Sequence, residues 1–158
     1  MIRPATPADA AMIARVNVQA WAETYPGMLP ASEIARRTFD VRLAQWTAQI
    51  GSGKSRIYVV PDLGFAQIGP QRTPEWAAKG YTEELCALYL LRSAHGLGHG
   101  RALLAAARSG AGFTAMVLDA NLRAVRFYET AGGQLLTTTE EMIADMVVRD
   151  RIYGWDAR

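Results

Sequence analysis

The sequence predicts an α/β fold in which a mixed central β-sheet carries helices on both faces. Segments with helical spacing of apolar residues alternate along the chain with short β-branched or apolar runs. One run, Glu84 to Leu91, is almost continuously apolar, which is typical of a central strand covered on both sides. No linker of biased composition interrupts the 158 residues, so we expect a single domain over 1–158.

The N-terminal third is predicted to be mainly helical. Thr6 is a candidate N-cap, and Pro7 suits the first helical position that follows it. This helix should end within Trp21 to Tyr25, ahead of a Pro-Gly pair. A second helical region runs from Pro30 to Ile50 and breaks near its middle, where Asp40 is the predicted cap of the second piece.

The other predicted elements follow from β-branched runs, turn residues and helical spacing. They are a first strand at Ile2 to Pro4, a hairpin of Arg56 to Val60 and Phe65 to Gly69, a loop from Pro70 to Tyr81, the strand Glu84 to Leu91, a helix at Arg101 to Arg108, a strand at Phe113 to Leu118, a helix at Asn121 to Ala131, and strands at Gln134 to Thr139 and Arg149 to Trp155.

The composition is that of a folded, soluble protein. Half of the residues are apolar, 20% are charged, and the formal net charge is +2. No apolar run reaches the roughly 18 residues of a membrane span, and the N-terminus lacks the apolar stretch of a signal peptide, so we expect a cytoplasmic protein. All but two of the 17 basic residues are arginines spread along the chain, which does not favour a dedicated nucleic-acid surface. The lone Cys86 excludes an internal disulfide.

A glycine-rich segment, His95-Gly96-Leu97-Gly98-His99-Gly100-Arg101, lies between the apolar strand and the next helix. Such a segment exposes backbone N–H groups at the positive end of a helix dipole, and a pyrophosphate is its natural ligand. A glycine turn without a ligand is the alternative. No Gly-Lys-Ser/Thr follows, which excludes a Walker loop. A dinucleotide fingerprint is disfavoured, because its third glycine would fall at Arg101.

The same segment resembles the acetyl-CoA signature of the GCN5-related N-acetyltransferase superfamily, Gln/Arg-x-x-Gly-x-Gly/Ala. It fits at Gly98 and Gly100 and departs at the first position, which is His95. The stretch from Asn121 to Gly132 is similar to the family's Asn-x-x-Ala-x-x-Phe-Tyr-x-x-x-Gly block. Glu84 to Tyr89 resembles the strand before the loop in many bacterial members. These motifs occur in family order, and the succession of elements matches nearly the whole chain.

The resemblance implies that acetyl-CoA is the co-substrate. No metal is expected, because the only two histidines, His95 and His99, lie on a loop with no obvious third ligand. The strand backbone before the loop would pair with the pantetheine arm, and the loop amides would hold the pyrophosphate. The implied cofactor-binding residues are Leu88, Leu90, Leu91, His95, Gly96, Leu97, Gly98, His99, Gly100, Arg101 and Asn121. His95 would either contact the pyrophosphate as a protonated imidazole or be a solvated loop residue, and we favour the solvated residue.

Two residues are implied in the chemistry. Tyr128 would lie by the sulfur and protonate the leaving thiolate, and Glu84 occupies a position where some members carry a general base. The structural alternatives are a packed core tyrosine and a solvated acid at the strand end. Cys86, inside an apolar strand with no evident histidine partner, is expected to be a small buried hydrophobe rather than a nucleophile.

Candidates for the acceptor pocket are Trp21, Tyr25, Arg72 and Trp76. The expected activity is transfer of an acetyl group to a primary amine by direct attack in a ternary complex, with a small molecule favoured as the acceptor. The alternatives are a non-catalytic acyl-CoA-binding module, or an acetyltransferase that acts on a protein N-terminus or on aminoacyl-tRNA. No nucleic-acid or membrane partner is expected, and a homodimer is left open.

Overall fold

The computed structural model describes residues 1–158, and its strands form one sheet. The strands are β1 (Arg3–Pro4), β2 (Arg56–Val60), β3 (Gly64–Pro70), β4 (Glu83–Leu90), β5 (Phe113–Leu118), β6 (Gln134–Ile143) and β7 (Met146–Trp155). Their order across the sheet is β1-β2-β3-β4-β5-β7-β6. Only the β4–β5 pair is parallel, so the sheet is mixed, as the sequence predicts.

Helices cover both faces of this sheet. They are α1 (Ala10–Thr24), α2 (Ala31–Ala35), α3 (Phe39–Ser52), α4 (Pro74–Ala78), α5 (His99–Ala107) and α6 (Leu122–Thr130). On one face, α1 and α3 pack on the sheet through Ile13, Trp46 and Phe65. On the other face, α5 and α6 pack through a second cluster that includes Leu103 and Val125. None of the helices combines the length and apolar character that a membrane crossing requires.

Three local expectations were wrong. Thr38, not Asp40, caps α3: its hydroxyl accepts a hydrogen bond from the Val41 N–H at 3.3 Å, and Asp40 lies in the first turn. The predicted loop from Pro70 to Tyr81 contains α4, a helix too short to show periodicity. The last two strands are also longer than expected. Most of β6 is exposed, so it lacks the apolar alternation by which a strand is recognised.

β4 contacts the core on both faces, as expected, since Leu85 belongs to one apolar cluster and Ala87 to the other, but its burial is incomplete. Only Leu85 and Ala87 of this strand are fully buried. The parallel pairing of β4 with β5 covers Glu83 to Leu85 and then stops, while β4 continues along β3 and β5 continues along β7. The two strands therefore diverge, and the C-terminal half of β4 borders a gap in the sheet.

Candidate active site

The backbone of β4 is partly unpaired where it borders this gap. The Leu91 N–H donates to the Leu63 carbonyl at 2.8 Å, so Leu91 bonds toward β3. Hydrogen-bonding direction alternates along an antiparallel strand, so Leu88 and Leu90 direct their N–H and C=O groups away from β3 and into the gap. Both backbone groups of Leu88 and the N–H of Leu90 are therefore available to a ligand, whereas the Leu91 N–H is engaged by Leu63 and the Leu90 carbonyl by the side chain of His95.

The glycine loop lies at the end of β4 and leads into α5. Gly96 and Gly98 have φ of 76° and 83°, and a Cβ on either would meet nothing within 4 Å. The Ala102 N–H donates to the Gly98 carbonyl, so the N–H groups of the three residues between them have no partner within the helix. Those free donors, with open space beside the glycines, form a site that suits a phosphate.

Gly100 serves a different purpose from the other two glycines. A Cβ there would lie 3.1 Å from Cε1 of Phe127, which is tighter than ordinary contact. This glycine therefore allows α5 and α6 to approach closely beside the loop, which connects the two sequence motifs physically.

His95 is hydrogen-bonded within the protein rather than fully solvated. Its ring is half-buried, and Nε2 lies 3.2 Å from the Leu90 carbonyl oxygen. Because a carbonyl only accepts, Nε2 carries the proton. Burial lowers the pKa of His95, and the nearby positive charge of Arg123 lowers it further. The neutral ring fastens the loop to the end of β4.

We expect His95→Ala to weaken acetyl-CoA binding by less than about fivefold, because the backbone amides do not depend on this ring. Calorimetric titration between pH 6 and 8 should give a nearly flat profile for both proteins. Since the folded state lowers the pKa of His95, the unfolded chain binds its proton more readily, and wild-type stability should fall more than that of the variant as the pH drops below about 6.5. A large loss of affinity with a lost pH dependence would instead indicate a charged contact to the ligand.

Tyr128 is buried, and its hydroxyl makes no hydrogen bond within the protein. The ring, 7% exposed, packs 5.7 Å from Trp155 and 6.3 Å from Tyr153 between centroids. Burial raises the pKa of Tyr128, and Tyr89 raises it further. The phenol therefore stays protonated across the neutral range, as a hydrogen-bond donor without a partner.

Two other tyrosine hydroxyls lie near Tyr128. The hydroxyl oxygens of Tyr25, at the end of α1, and Tyr89, on β4, are 3.5 Å apart. Burial raises the pKa of Tyr25, and Tyr89 and Tyr128 contribute smaller increases. Tyrosine side chains from the end of α1, from β4 and from α6 thus lie near one another beside the gap.

Glu84 forms a two-pronged ion pair with Arg72. Oε2 accepts from Nη2 at 2.6 Å, and Oε1 accepts from Nε at 3.1 Å and from the Arg72 backbone N–H at 3.2 Å. The glutamate side chain is 16% exposed and the arginine 70%. The neighbouring Glu83 has its own partner, Arg56, at 2.9 Å. The predicted base is therefore paired with a cation that is largely exposed to solvent.

A β-bulge at Cys86 determines which side chains of β4 face α1 and α3. The register shifts there, so that Leu85 lies opposite Ile68 and Ala87 lies opposite Gln67. Cys86 and Ala87 consequently line the same cavity, and Tyr89 follows them. Cys86 is half-buried rather than a core residue, and burial raises the pKa of its thiol, which disfavours a nucleophilic role.

A cavity of about 460 Å³ lies between α1, α3 and the β3–β4 pair. Trp21 and Arg72, both predicted from the sequence, line it. We call it the acceptor cavity. Trp76 does not line it: its ring packs against Tyr81 and under the Lys79 ammonium.

The chain was compared with known proteins. The model of the Acetyltransferase (GNAT) family matches residues 20–132. The chain belongs to the GNAT family. The uncharacterized N-acetyltransferase YuaI of Bacillus subtilis is 29% identical over 98% of this chain and 91% of that protein.

Solved structures share the GNAT fold. The acetyltransferase yncA of Salmonella typhimurium, solved with its cofactor acetyl-CoA, is 22% identical with a TM-score of 0.73, covering 99% of this chain and 92% of that one. An N-acetyltransferase of Staphylococcus aureus Mu50 is 23% identical with a TM-score of 0.72, over 100% and 98% of the two chains. The paia N-acetyltransferase of Thermoplasma acidophilum, in complex with coenzyme A, is 17% identical with a TM-score of 0.71, over 100% and 98%.

Within this GNAT domain, Asn121 has a structural task besides the one predicted for it. Its side-chain oxygen accepts from the Ala124 N–H at 3.3 Å and caps α6. A cofactor contact would therefore use its amide NH₂ group.

Sequence reasoning missed two residues that the structure places beside the gap and in the cavity. Tyr89 lies in an apolar run, and nothing in such a run marks the bulge that turns its side chain toward Tyr25. Arg42, on α3, is buried in the acceptor cavity. It occupies an inward position of an amphipathic helix, beside Trp46, and a charged residue at such a position could have been noticed.

Proposed function

We propose that this GNAT protein is an acetyl-CoA-dependent N-acetyltransferase that acetylates a primary amine by direct attack in a ternary complex. The observation that carries the proposal is the divergence of β4 from β5, with the glycine loop at the end of the gap. Unpaired backbone groups of β4, which can bind an amide-containing arm, lie next to the unpaired N–H groups of the glycine loop, which can bind a pyrophosphate. A small-molecule amine is the proposed acceptor, because the acceptor cavity of about 460 Å³ is of small-ligand size.

The residues present fit acetyl-CoA, which supplies an activated acetyl thioester. Leu88 and Leu90 would pair with the pantetheine arm, and Asn121 would face it. The amides of Gly96 to Arg101 would hold the pyrophosphate. His95 would hold the loop against the end of β4 rather than contact phosphate.

The chemistry requires a proton to leave the amine and another to reach sulfur. A primary amine in solution is protonated near neutral pH, because the pKa of its ammonium form is about 10. It must therefore lose a proton before its nitrogen can attack. Glu84 would take that proton, directly or through water, while Arg72 swings aside. As the C–N bond forms and the C–S bond breaks, the attacking nitrogen would release its second proton to water, and the Tyr128 hydroxyl would donate its proton to the sulfur and recover one from water afterwards. The neutral thiol of Cys86 takes no part.

The proposed function is tested by thiol release with a panel of primary amines, alongside calorimetric titration of acetyl-CoA. Turnover with at least one small amine is expected. Acetyl-CoA binding without turnover of any amine would favour the non-catalytic module, and absence of binding would refute both.

Glu84→Gln keeps the shape of the side chain and removes its basicity. We expect kcat/KM to fall about 10²-fold at neutral pH, with partial recovery at high pH, where free amine is more abundant. Glu83→Gln is the matched control, because that carboxylate is also paired with an arginine but belongs to the opposite side of the strand. A pH–rate profile of Glu84→Gln that overlays the wild type would leave the Arg72–Glu84 pair a purely structural feature.

A further inference from the structure

Unpaired donors are concentrated in the acceptor cavity. Five buried side-chain nitrogens in the protein lack a hydrogen-bond partner, and four of them belong to three residues that line this cavity. These are Asn17 Nδ2, Trp21 Nε1, and Nε and Nη2 of Arg42. Buried polar groups are normally paired, and all four of these atoms are donors. These donors therefore lack a hydrogen-bond acceptor, and all four lie around one cavity.

Arg42 is the strongest of these donors. Its side chain is 7% exposed, and no carboxylate lies against it. Nη1 donates to Oε1 of Gln45 at 2.9 Å, which leaves the Nε–Nη2 edge unused. That edge presents two parallel N–H groups, the arrangement that binds a carboxylate with two hydrogen bonds. The guanidinium carbon lies over the Trp21 ring, 4.6 Å from its centroid, and this contact helps to position the group.

The rest of the cavity is also positive. Arg37, Lys54 and Arg72 line it together with Arg42, and no aspartate or glutamate does. Two of these cations are already paired, Arg37 with Glu33 and Arg72 with Glu84, whereas Arg42 and Lys54 form no ion pair. A buried cation without a partner is unfavourable unless a ligand supplies the opposite charge.

We infer that the acceptor of this enzyme is an amino acid or similar small molecule that carries a carboxylate beside its amine, and that Arg42 binds the carboxylate through its Nε–Nη2 edge. The inference rests on the proposed function and names its substrate class. Trp21 and Asn17 donate further hydrogen bonds to the same group. The unused nitrogens have almost no surface open to water, so an incoming anion reaches them only after a neighbouring side chain has moved. A protein N-terminus or an aminoacyl ester lacks this charge and should be a poor acceptor.

The test compares amino acids of increasing chain length with their amides, which keep the amine and remove the negative charge. We expect at least a tenfold higher kcat/KM for the free acid of the preferred acceptor, by thiol release. Arg42→Met should raise the KM for the acid at least tenfold, raise the KM for the amide much less, and leave acetyl-CoA affinity unchanged by calorimetry. Arg42→Lys keeps the positive charge but loses the two parallel N–H groups. Its KM for the acid should lie between those of the wild type and Arg42→Met. Arg36→Met is the control, because Arg36 is exposed and lies outside the cavity.

Two results would overturn the inference: an amide preferred by the wild type, or an equal loss for acid and amide in a folded Arg42→Met. If no amine is acetylated, the proposed function fails, and the anion site is decided separately by titrating succinate while following the arginine ¹⁵Nε resonances. A shifted resonance that is missing from Arg42→Met would support the site, and the absence of any shift would refute it.

Discussion

Gly98→Glu should weaken acetyl-CoA binding at least 100-fold while the protein remains folded. Gly98 is the N-cap of α5, with φ of 83°, and a Cβ there meets nothing within 4 Å, so the new side chain fits sterically. It would occupy the space where phosphate oxygens are proposed to lie. At about 4 Å and an effective dielectric constant of about 20, the repulsion between like charges is about 4 kcal/mol, more than the roughly 2.7 kcal/mol that a 100-fold loss requires.

Calorimetric titration measures this loss, and circular dichroism reports on the fold. The control is Gly110→Glu, which introduces the same residue at another open position of positive φ, 101°, in the turn before β5. Both variants carry a similar backbone strain, about 1–2 kcal/mol, but the control should bind acetyl-CoA normally. Unchanged affinity in a folded Gly98→Glu would remove the glycine loop from the proposed binding site.

Tyr128→Phe should lower kcat about 10²-fold while acetyl-CoA affinity and stability change little. The substitution keeps the buried ring and deletes the only group that the proposal uses as a proton donor. Because the hydroxyl has no partner in the protein, its removal leaves no unsatisfied group behind and should not destabilise the fold. Steady-state kinetics, calorimetry and thermal unfolding measure the three quantities.

Tyr153→Phe provides the opposite pattern and serves as the control. The Tyr153 hydroxyl donates to Oε2 of Glu129 at 2.8 Å and accepts from Arg151 at 3.2 Å. Deleting it should lower thermal stability and leave kcat nearly unchanged. If Tyr128→Phe turns over as fast as the wild type, Tyr128 belongs with the packed core tyrosines.

Local patterns in the sequence were sufficient to place the glycine loop and the helices on either side of the site. Glycines with positive φ at Gly96 and Gly98, and the helical spacing that includes Val125 and Tyr128, are short-range signals. The predicted elements therefore agree with the structure over most of the chain, and the GNAT resemblance supplied their arrangement.

What the sequence did not reveal depends on contacts between distant segments. The divergence of β4 from β5 arises because Phe113 to Leu118 continues along β7, far away in the chain. The ion pair of Arg72 with Glu84 joins a loop to a strand. The sequence alone does not distinguish an arginine in such a pair from one that is only solvated. The acceptor cavity forms only when Arg42 on α3 packs beside Trp21 on α1.

The short ladder between β4 and β5 links ligand occupancy to the stability of the whole domain. Only Glu83 to Leu85 join the half of the sheet that contains β1 to β4 to the half that contains β5 to β7. A ligand lying in the gap would add cross-links between the halves that the polypeptide itself does not make. By mass action, a ligand present at 100 times its Kd adds about 2.7 kcal/mol to the free energy of unfolding. In a cell that keeps the concentration of its acyl donor well above Kd, the protein would have a higher free energy of unfolding than the purified, ligand-free protein.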